Sequence, residues 1–367
     1  MIGGVPLARR NLTRQRLRFA LSAAGVGLAL LLILSLEAIY GGVLRQVTAY
    51  PDHAGAPVIV SQRGVKTMHM SSSALPLGLA RKLRRDPRVA RAAPILYSPI
   101  ILNGREPVSS YLIGFRRAGG PWQMSSGRAR PGPDGIVIDA ITAGRLGVGI
   151  GDTLRVAGGQ LRIVGLTRGT FSIISSVSFI AYATFQRLEG TTGSASYILV
   201  WPRRGRSPEA LASHLQAAYP VTAQTSGKFS TNERQVVSDM STELIQGLVS
   251  IGFVVGLVVA GLSIYTATVA RLREYAVLKA IGMRNRSLYW MISRQALLTV
   301  GSGLLVALAL LALLNAVVGR AEPSITMQLT SGILARTALV TTLIGAVAAL
   351  LPARRVARVD PASAYRT

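Results

Sequence analysis

Apolar residues in this chain are concentrated in four runs, each separated from the next by polar or charged sequence. The runs cover residues 19–41, 244–270, 288–318 and 333–351. Together they hold three charged residues, Glu37, Arg294 and Arg336. About 20 apolar residues in a helix span the hydrocarbon core of a bilayer, so the pattern predicts four transmembrane helices. A buried helix is the alternative for the fourth run, which is shorter and contains several threonines.

The first run could also belong to a cleaved signal peptide. Its apolar core is longer than the roughly 7 to 15 residues of a signal sequence, and no clear cleavage site follows it. The sequence therefore favours an anchor that stays in the mature protein.

Lys and Arg cluster in the short segments beside these runs. Five arginines lie in residues 1–18, five basic residues in 271–287 and four arginines in 352–367. Short segments rich in Lys and Arg stay in the cytoplasm, which predicts a cytoplasmic amphipathic N-terminal segment, a cytoplasmic loop and a cytoplasmic C-terminal tail. The long segment 42–243 and the short loop 319–332 are then extracytoplasmic.

The formal net charge of +26 would also fit a protein that binds nucleic acid, since phosphate binding uses clustered Lys and Arg. Here the clusters flank apolar runs, so the lipid bilayer is the predicted partner and nucleic acid is not. The chain contains no cysteine, which excludes disulfides, thiolate catalysis and Cys-ligated metals.

Residues 42–243 are predicted to form a mixed α/β domain. Strands are expected at 136–138 and at 197–202, a strand followed by a short helix is expected within 176–190, and two further strands are expected to meet in a hairpin at Gly158-Gly159. A short helix is expected through Arg145, and another after Ser207, which precedes Pro208 and Glu209 as an N-cap. The alternation predicts helices packed on small sheets.

Nothing in this domain predicts catalysis. The glycines at 147, 149 and 151 are typical of a turn before a strand, since they lack the long helix of a nucleotide-binding loop. The histidines at 53, 69 and 214 show no metal-ligand spacing and are expected to be solvent-exposed or packing residues. The aspartates at 134, 139 and 152 are assigned no catalytic role, since two of them lie beside glycine in turn-like contexts, where Asp is favoured for hydrogen bonding to backbone.

Residues 81–94 are predicted to form a basic helix followed by a turn. A solvated face is the simpler interpretation, and contact with anionic lipid or an acidic partner is the functional one.

The loop between the second and third runs reads RLREYAVLKAIGMRNRS, residues 271–287. On a helical wheel Tyr275, Leu278 and Ile281 or Gly282 fall close together, with Val277 alongside. Charged residues surround this strip. The pattern fits either a helix lying on the membrane surface or one that docks in a protein groove.

The same residues resemble the segment after the second span in MacB/FtsX-type (type VII) ABC transporter permeases, written roughly R-x-R-E-x-A-V-L-[KR]-A-[IL]-G. Residues 350–366, with a D-P-A-x-A tail, are similar to the cytoplasmic ending of that family, and residues 7–22 to its N-terminal segment. The outer segment matches loosely through Gly151 to Gly165, and its compactness looks closest to the DevC-like branch.

The resemblance implies a permease of the bacterial cytoplasmic (inner) membrane that forms a dimer, has no ATPase activity and pairs with two copies of an ABC ATP-binding subunit. ATP and Mg would be bound by that partner, and no cofactor by this chain. The resemblance makes the loop a coupling helix that docks on the ATPase. Its residues are Arg271, Arg273, Glu274, Tyr275, Val277, Leu278, Lys279, Ile281 and Gly282.

Small residues form a stripe in each of the first two runs and predict close helix packing, between copies or within one chain. They are Ser22, Gly25 and Ala29 in the first run, and Gly252, Gly256 and Ala260 in the second.

Three functions are compared on the sequence, and the third is disfavoured because residues 271–283 carry an apolar strip rather than a wholly polar surface. The first is a permease that transmits ATP-driven motion to its outer domain and supports export or extraction of a hydrophobic or amphipathic substrate, with or without a membrane-fusion adaptor. The second is an FtsX-like signalling subunit that activates a cell-wall hydrolase. The third is a membrane-anchored interaction protein without an ATPase.

Overall fold

A computed structural model describes residues 16–171, 175–321 and 329–357 of the chain. It contains two compact units: a helical unit built from the apolar runs, and an outer domain, residues 42–241. The predicted N-terminal segment is described only from Arg16, and the D-P-A-x-A tail lies outside the described residues.

Among the described residues, four helices are long and apolar enough to cross a membrane, which confirms the predicted fold class, including its fourth span. They are α1 (Arg16–Val47), α7 (Ser226–Val269), α9 (Asn285–Ala321) and α10 (Ser331–Ala357). Their candidate spans are Phe19–Val47, Gln246–Val269, Asn285–Val317 and Ser331–Ala357. Helix α7 begins well before the apolar run at 244, because helix formation does not end where hydropathy falls.

The helical unit buries one apolar core shared by α1, α7, α9 and α10. Val26, Leu30, Ala260, Ala296 and Ile344 are all fully buried in it. Large apolar side chains on the opposite faces of these helices are exposed, as expected of surfaces that lipid covers.

The outer domain alternates strands with short helices. The strands are β1 (Val58–Gln62), β2 (Leu75–Pro76), β3 (Val89–Leu102), β4 (Val108–Phe115), β5 (Met124–Gly127), β6 (Gly135–Asp139), β7 (Thr153–Val156), β8 (Gly159–Thr167), β9 (Ser176–Ala181), β10 (Ser194–Ala195), β11 (Tyr197–Pro202) and β12 (Val221–Thr225). The short helices are α2 (Ala49–His53), α3 (Leu77–Arg85), α4 (Ala140–Leu146), α5 (Tyr182–Glu189) and α6 (Pro208–Ala218), and α8 (Leu272–Ala280) lies in the helical unit.

One large mixed sheet dominates this domain, so the expectation of small sheets is wrong. Ten strands belong to it, in the order β12-β1-β11-β3-β4-β9-β6-β8-β5 with β7 beside β8. The β4–β9 and β6–β8 pairs are parallel, and the others are antiparallel. The long strand β3 unites the sheet because it pairs with β11 in its first half and with β4 in its second.

Local predictions in the outer domain hold except at two places. The strands at 136–138 and 197–202 are confirmed, as are the strand and helix within 176–190, α4 and the Ser207 cap, whose hydroxyl accepts from Ala210 N at 3.2 Å. The hairpin loop is Ala157-Gly158 rather than Gly158-Gly159, because Val156 pairs with Gly159 and the two loop residues carry the positive φ values, 45° and 81°.

The second correction concerns residues 81–94. Helix α3 ends at Arg85 and a short turn follows, but from Val89 onward the chain is the start of β3 rather than a turn. Arg91 pairs with Trp201 and Val89 with Pro202 of β11, and a β-bulge between these two pairs interrupts the alternation of buried and exposed residues. The interrupted alternation and a run of basic residues concealed the strand.

Candidate coupling surface and ectodomain polar clusters

Helix α8, residues Leu272–Ala280, forms the body of the loop between α7 and α9. Its C-terminal end turns through Gly282, which has a φ of 94°. Met283 N donates to Leu278 O at 3.0 Å across this turn. Because an L side chain is strained at that φ, glycine is the residue that lets the helix end here.

The apolar strip predicted on this segment divides between two faces. Tyr275 is buried and Leu278 packs partly against the core of the helical unit. Val277 and Ile281 are 48% and 74% exposed, and since they lie four residues apart they share one helix face. Burial raises the pKa of the Tyr275 hydroxyl. Val277 and Ile281 are therefore the apolar residues of this strip most accessible to a partner, whereas Tyr275 is buried and Leu278 half-buried.

Charged residues frame the exposed face. Arg273 and Glu274 are exposed one turn before Val277, and Gly282 follows Ile281 at the exposed end. Arg271 is half-buried at the N-cap of the helix.

Lys279 has a different role. Its Nζ donates to the carbonyl oxygen of Ala357 at 2.6 Å, at the C-terminal end of α10, where the helix dipole favours a cation. Two residues earlier on α10, Arg355 donates a hydrogen bond to the Tyr265 hydroxyl of α7 and lies over its ring, 5.5 Å from the centroid. Lys279 therefore ties α8 to the end of α10, and Arg355 ties that end of α10 to α7.

The small-residue stripe of α7 packs inside the chain. A Cβ at Gly252 would lie 2.8 Å from Ile33 Cγ1, and one at Gly256 would lie 3.5 Å from Ala29 Cβ. Ala260 is fully buried. These residues therefore allow α1 to approach α7 closely within one chain.

The stripe of α1 behaves in the same way. A Cβ at Gly25 would lie 3.0 Å from Val259 Cγ1 of α7. Ser22 is half-buried.

Two of the charges noted in the apolar runs pair with each other. Arg336 of α10 and Glu37 of α1 form an ion pair at 2.9 Å, with the carboxylate mostly covered and the guanidinium exposed. Such pairing lowers the cost of holding charge beside lipid.

Asp139 and Asp152 of the outer domain accept hydrogen bonds from backbone N–H groups, whereas Asp134 bonds a side chain. Asp139 caps α4 by accepting from Ile141 N at 2.8 Å, and Asp152 accepts from Gly149 N at 2.8 Å. Asp134 pairs on the surface with Arg187.

Two of the three histidines are paired with carboxylates. His214 contacts Asp86 at 2.9 Å and His69 contacts Glu233 at 2.8 Å, while His53 stacks on Trp122. Among the described residues, no group of three or more His, Cys, Asp or Glu side chains could hold a metal ion.

Glu233 is the functional candidate that the sequence did not reveal. It is fully buried on α7, and its two carboxylate oxygens accept from Met68 N and contact His69 Nδ1. It lies in a polar stretch, GKFSTNERQVVSD, where no periodicity predicts burial. A cavity of about 40 Å³ beside His69 is lined partly by Tyr97, Tyr111 and Phe171.

Residues 19–218 match the family model of the MacB-like periplasmic core domain, and residues 247–361 match that of the FtsX-like permease C-terminal region. A fold with four candidate spans and a mixed α/β insertion after the first defines the class, a multi-pass membrane protein with an outer domain. The chain belongs to the MacB/FtsX-type ABC transporter permeases.

Relatives with the same architecture extend over the whole chain. Uncharacterised ABC transporter permeases of Mycobacterium tuberculosis are 26% and 25% identical, each over 98% of this chain and 98% of their own length. Among solved structures, the periplasmic region of MacB from Actinobacillus actinomycetemcomitans covers 51% of this chain and 96% of its own, at 14% identity and a TM-score of 0.37. The extracellular domain of the ABC-type transporter YknZ from Gram-positive bacteria covers 47% of this chain and 99% of its own, at 11% identity and a TM-score of 0.36.

An ABC transporter permease works with an ATP-binding partner subunit. The permease identity is confirmed; the DevC-like branch, the docking residues and the dimer remain predictions.

Proposed function

We propose that this chain is a mechanotransmitting permease, which passes ATP-driven motion from a separate ATPase to its outer domain and so supports export or extraction of a hydrophobic or amphipathic substrate. The observation that carries the proposal is the exposed apolar pair Val277 and Ile281 on α8, framed by Arg273 and Glu274. Isolated apolar side chains are common on surfaces, but a helix-face pair on a cytoplasmic loop matches how amphipathic helices dock in grooves.

The inner contacts of α8 support a role in transmission. Tyr275 packs in the core of the helical unit and Lys279 bonds the last carbonyl of α10. A force applied at Val277 and Ile281 would therefore be transmitted to several spans together, because α8 is packed against them.

The remaining parts of the proposal follow from family membership. Two permease copies would pair with two ATP-binding subunits, which bind ATP and Mg, in the bacterial cytoplasmic membrane with both termini inside. A membrane-fusion adaptor could complete the assembly on the outer side.

The cavity beside His69, at about 40 Å³, holds only a few water-sized molecules. This supports transmission of motion over capture of a lipid-sized substrate in that cavity.

The test is to replace Val277 or Ile281 with Asp in the full chain and to measure co-purification with the ATP-binding subunit and the ATPase rate of the complex. We expect both to fall strongly, because the new charge would be buried in an apolar contact. Unchanged co-purification and ATPase rate would refute docking at this face.

Matched variants separate docking from folding. Val277→Ile and Ile281→Val keep the face apolar and should retain the complex. Leu278→Asp, in contrast, places its charge against the protein's own core and should lower the stability of the permease itself.

The FtsX-like alternative differs in what the motion does. A reconstituted complex that hydrolyses ATP and activates a cell-wall hydrolase, but moves no substrate, would replace transport with signalling.

A further inference from the structure

The first turns of α7 are joined to the rest of the outer domain by a row of polar contacts, here termed the polar seam. Ser226 Oγ donates to Pro51 O at 2.8 Å, Ser230 bonds Asp52, and Arg234 donates to Thr48 Oγ1 at 3.4 Å. These positions recur every four residues, so one face of α7 is bonded along the chain segment that follows α1.

A neighbouring face of α7 carries the buried residues of this region. Phe229 is fully buried in the outer-domain core. One turn later Glu233 bonds Met68 N and His69, in the segment between β1 and β2, and Asn232 bonds Gln224 of β12. The first turns of α7 are thus held from two sides.

The surroundings of Glu233 offer it few other partners. Tyr97, Tyr111 and Tyr197 lie around the pair: Tyr111 packs edge-on against His69 at 4.7 Å, and Tyr197 packs against Phe229 at 6.1 Å. Burial raises the pKa of Tyr197, and the negative charge of Glu233 raises it further, so the tyrosine stays neutral beside the carboxylate.

The polar seam adds directional contacts to apolar packing, which has no preferred direction. Apolar packing is non-directional, and a helix held only by Phe229 could rotate or slide along the sheet. Hydrogen bonds weaken steeply with angle, and removing the hydrogen-bond partners of a buried carboxylate leaves it unsatisfied. A seam of this kind therefore fixes the rotation and register of the helix.

We infer that the Glu233–His69 pair and the seam around it form the joint through which α7 moves the outer domain. The same helix contains the second candidate span, Gln246–Val269, so the joint lies on a continuous helix that runs from a span into the domain. The inference rests on the proposed function, and it assigns to Glu233 a positioning role, with no part in ATP hydrolysis.

The test uses the full chain reconstituted with its ATP-binding subunit in lipid nanodiscs. Because the chain has no cysteine, a single Ser125→Cys change allows a spin label on the outer domain, and its ATP-dependent spectral change is measured. We expect this change to be lost in Glu233→Ala while the ATPase rate is kept, and to be reduced in Glu233→Gln, which preserves shape but removes charge.

The second His–carboxylate pair of the domain provides a matched control. Asp86→Asn breaks the Asp86–His214 contact, which has no part on α7, and should leave the ATP-dependent change as in the parent. Hydrogen exchange of β6 and β8 checks that each variant remains folded.

Each result separates the two proposals. If the parent shows no ATP-dependent change, motion transmission itself fails. If the parent responds and Glu233→Ala responds equally, the joint is elsewhere. Should Glu233→Ala lose protection in β6 and β8, the Glu233→Gln variant decides. A reduced or lost response with full protection supports the joint, and a full response overturns it.

Discussion

Buried carboxylates in the outer domain are each surrounded by donors. Asp139 accepts from Ile141 N and also from Thr170 N and Oγ1, at 3.0 and 2.8 Å. Asp86 accepts from Arg88 N at 2.9 Å, contacts His214 Nε2 at 2.9 Å and bonds the Tyr219 hydroxyl at 3.4 Å. A buried charge costs several kcal/mol unless it is satisfied in this way, so these residues contribute to stability through a full set of partners.

Because of Asp86, part of the stability of the outer domain is expected to be lost in acid. Burial alone would raise the pKa of its carboxyl, but the bonds from Arg88, His214 and Tyr219 outweigh burial and lower the pKa below its ordinary value of 3.8. The unfolded chain then binds the proton more tightly, so the stabilisation is present above pH 3.8 and is lost as the pH falls through the lower, folded pKa. Unfolding of the detergent-solubilised chain, followed against pH, measures it.

Asp86→Asn is the matching substitution. It should cost about 1–3 kcal/mol at neutral pH, since hydrogen bonds to a charged group are among the stronger ones, and it should flatten the acid limb of the stability curve. Asp134→Asn breaks only an exposed pair and should change stability by under about 1 kcal/mol. Equal losses of stability from the two substitutions would contradict the stabilising role assigned to Asp86.

At the level of elements, the glycines of α7 differ sharply in their surroundings. Gly252 and Gly256 face α1, whereas Gly261 on the same helix has no atom within 4 Å of an added Cβ. Similar small-residue spacing in the sequence therefore covers both a close helix contact and open surface. Periodicity identifies the helix, but it cannot tell which glycine meets a neighbour.

Gly252→Leu should destabilise the helical unit by about 1–3 kcal/mol, because overpacking forces neighbours to move, while Gly261→Leu should not. Thermal unfolding of the detergent-solubilised chain at two protein concentrations measures both. A contact within the chain gives a loss that does not depend on concentration, and a contact between copies gives one that does. A concentration-dependent loss would move the Gly252 contact to the dimer interface.

Other features of the fold could not be predicted either, because they too depend on tertiary contacts that sequence patterns do not show. Strands with clear β-branched runs were predictable, but the large sheet depends on the pairing of β3 with β11, residues far apart in the chain. On α8, Tyr275 and Val277 are both apolar and two residues apart, and only packing shows that one is buried and the other exposed. Glu233 gave no signal, since burial of a charged residue depends on partners that sequence does not display.

For the whole molecule, hydropathy and charge predicted most of the architecture. The bilayer sets a minimum length for each span, so four spans follow from four runs. The bias of Lys and Arg fixes orientation, and no tertiary contact is needed to read it. Which side of the membrane each segment occupies is therefore the prediction with the simplest physical basis.

Single cysteines can test this orientation because the native chain has none. Ser125 lies in the outer domain and Ser287 in the first turn of α9, and both are exposed, so neither is shielded by packing. A cysteine at Ser125 should react with a membrane-impermeant maleimide on intact spheroplasts, and one at Ser287 should react only after the membrane is opened. Since both sites are accessible in the folded chain, a difference in their labelling reports the membrane barrier. The reverse labelling pattern would invert the topology and would place α8 on the side of the membrane that a cytoplasmic ATPase cannot reach.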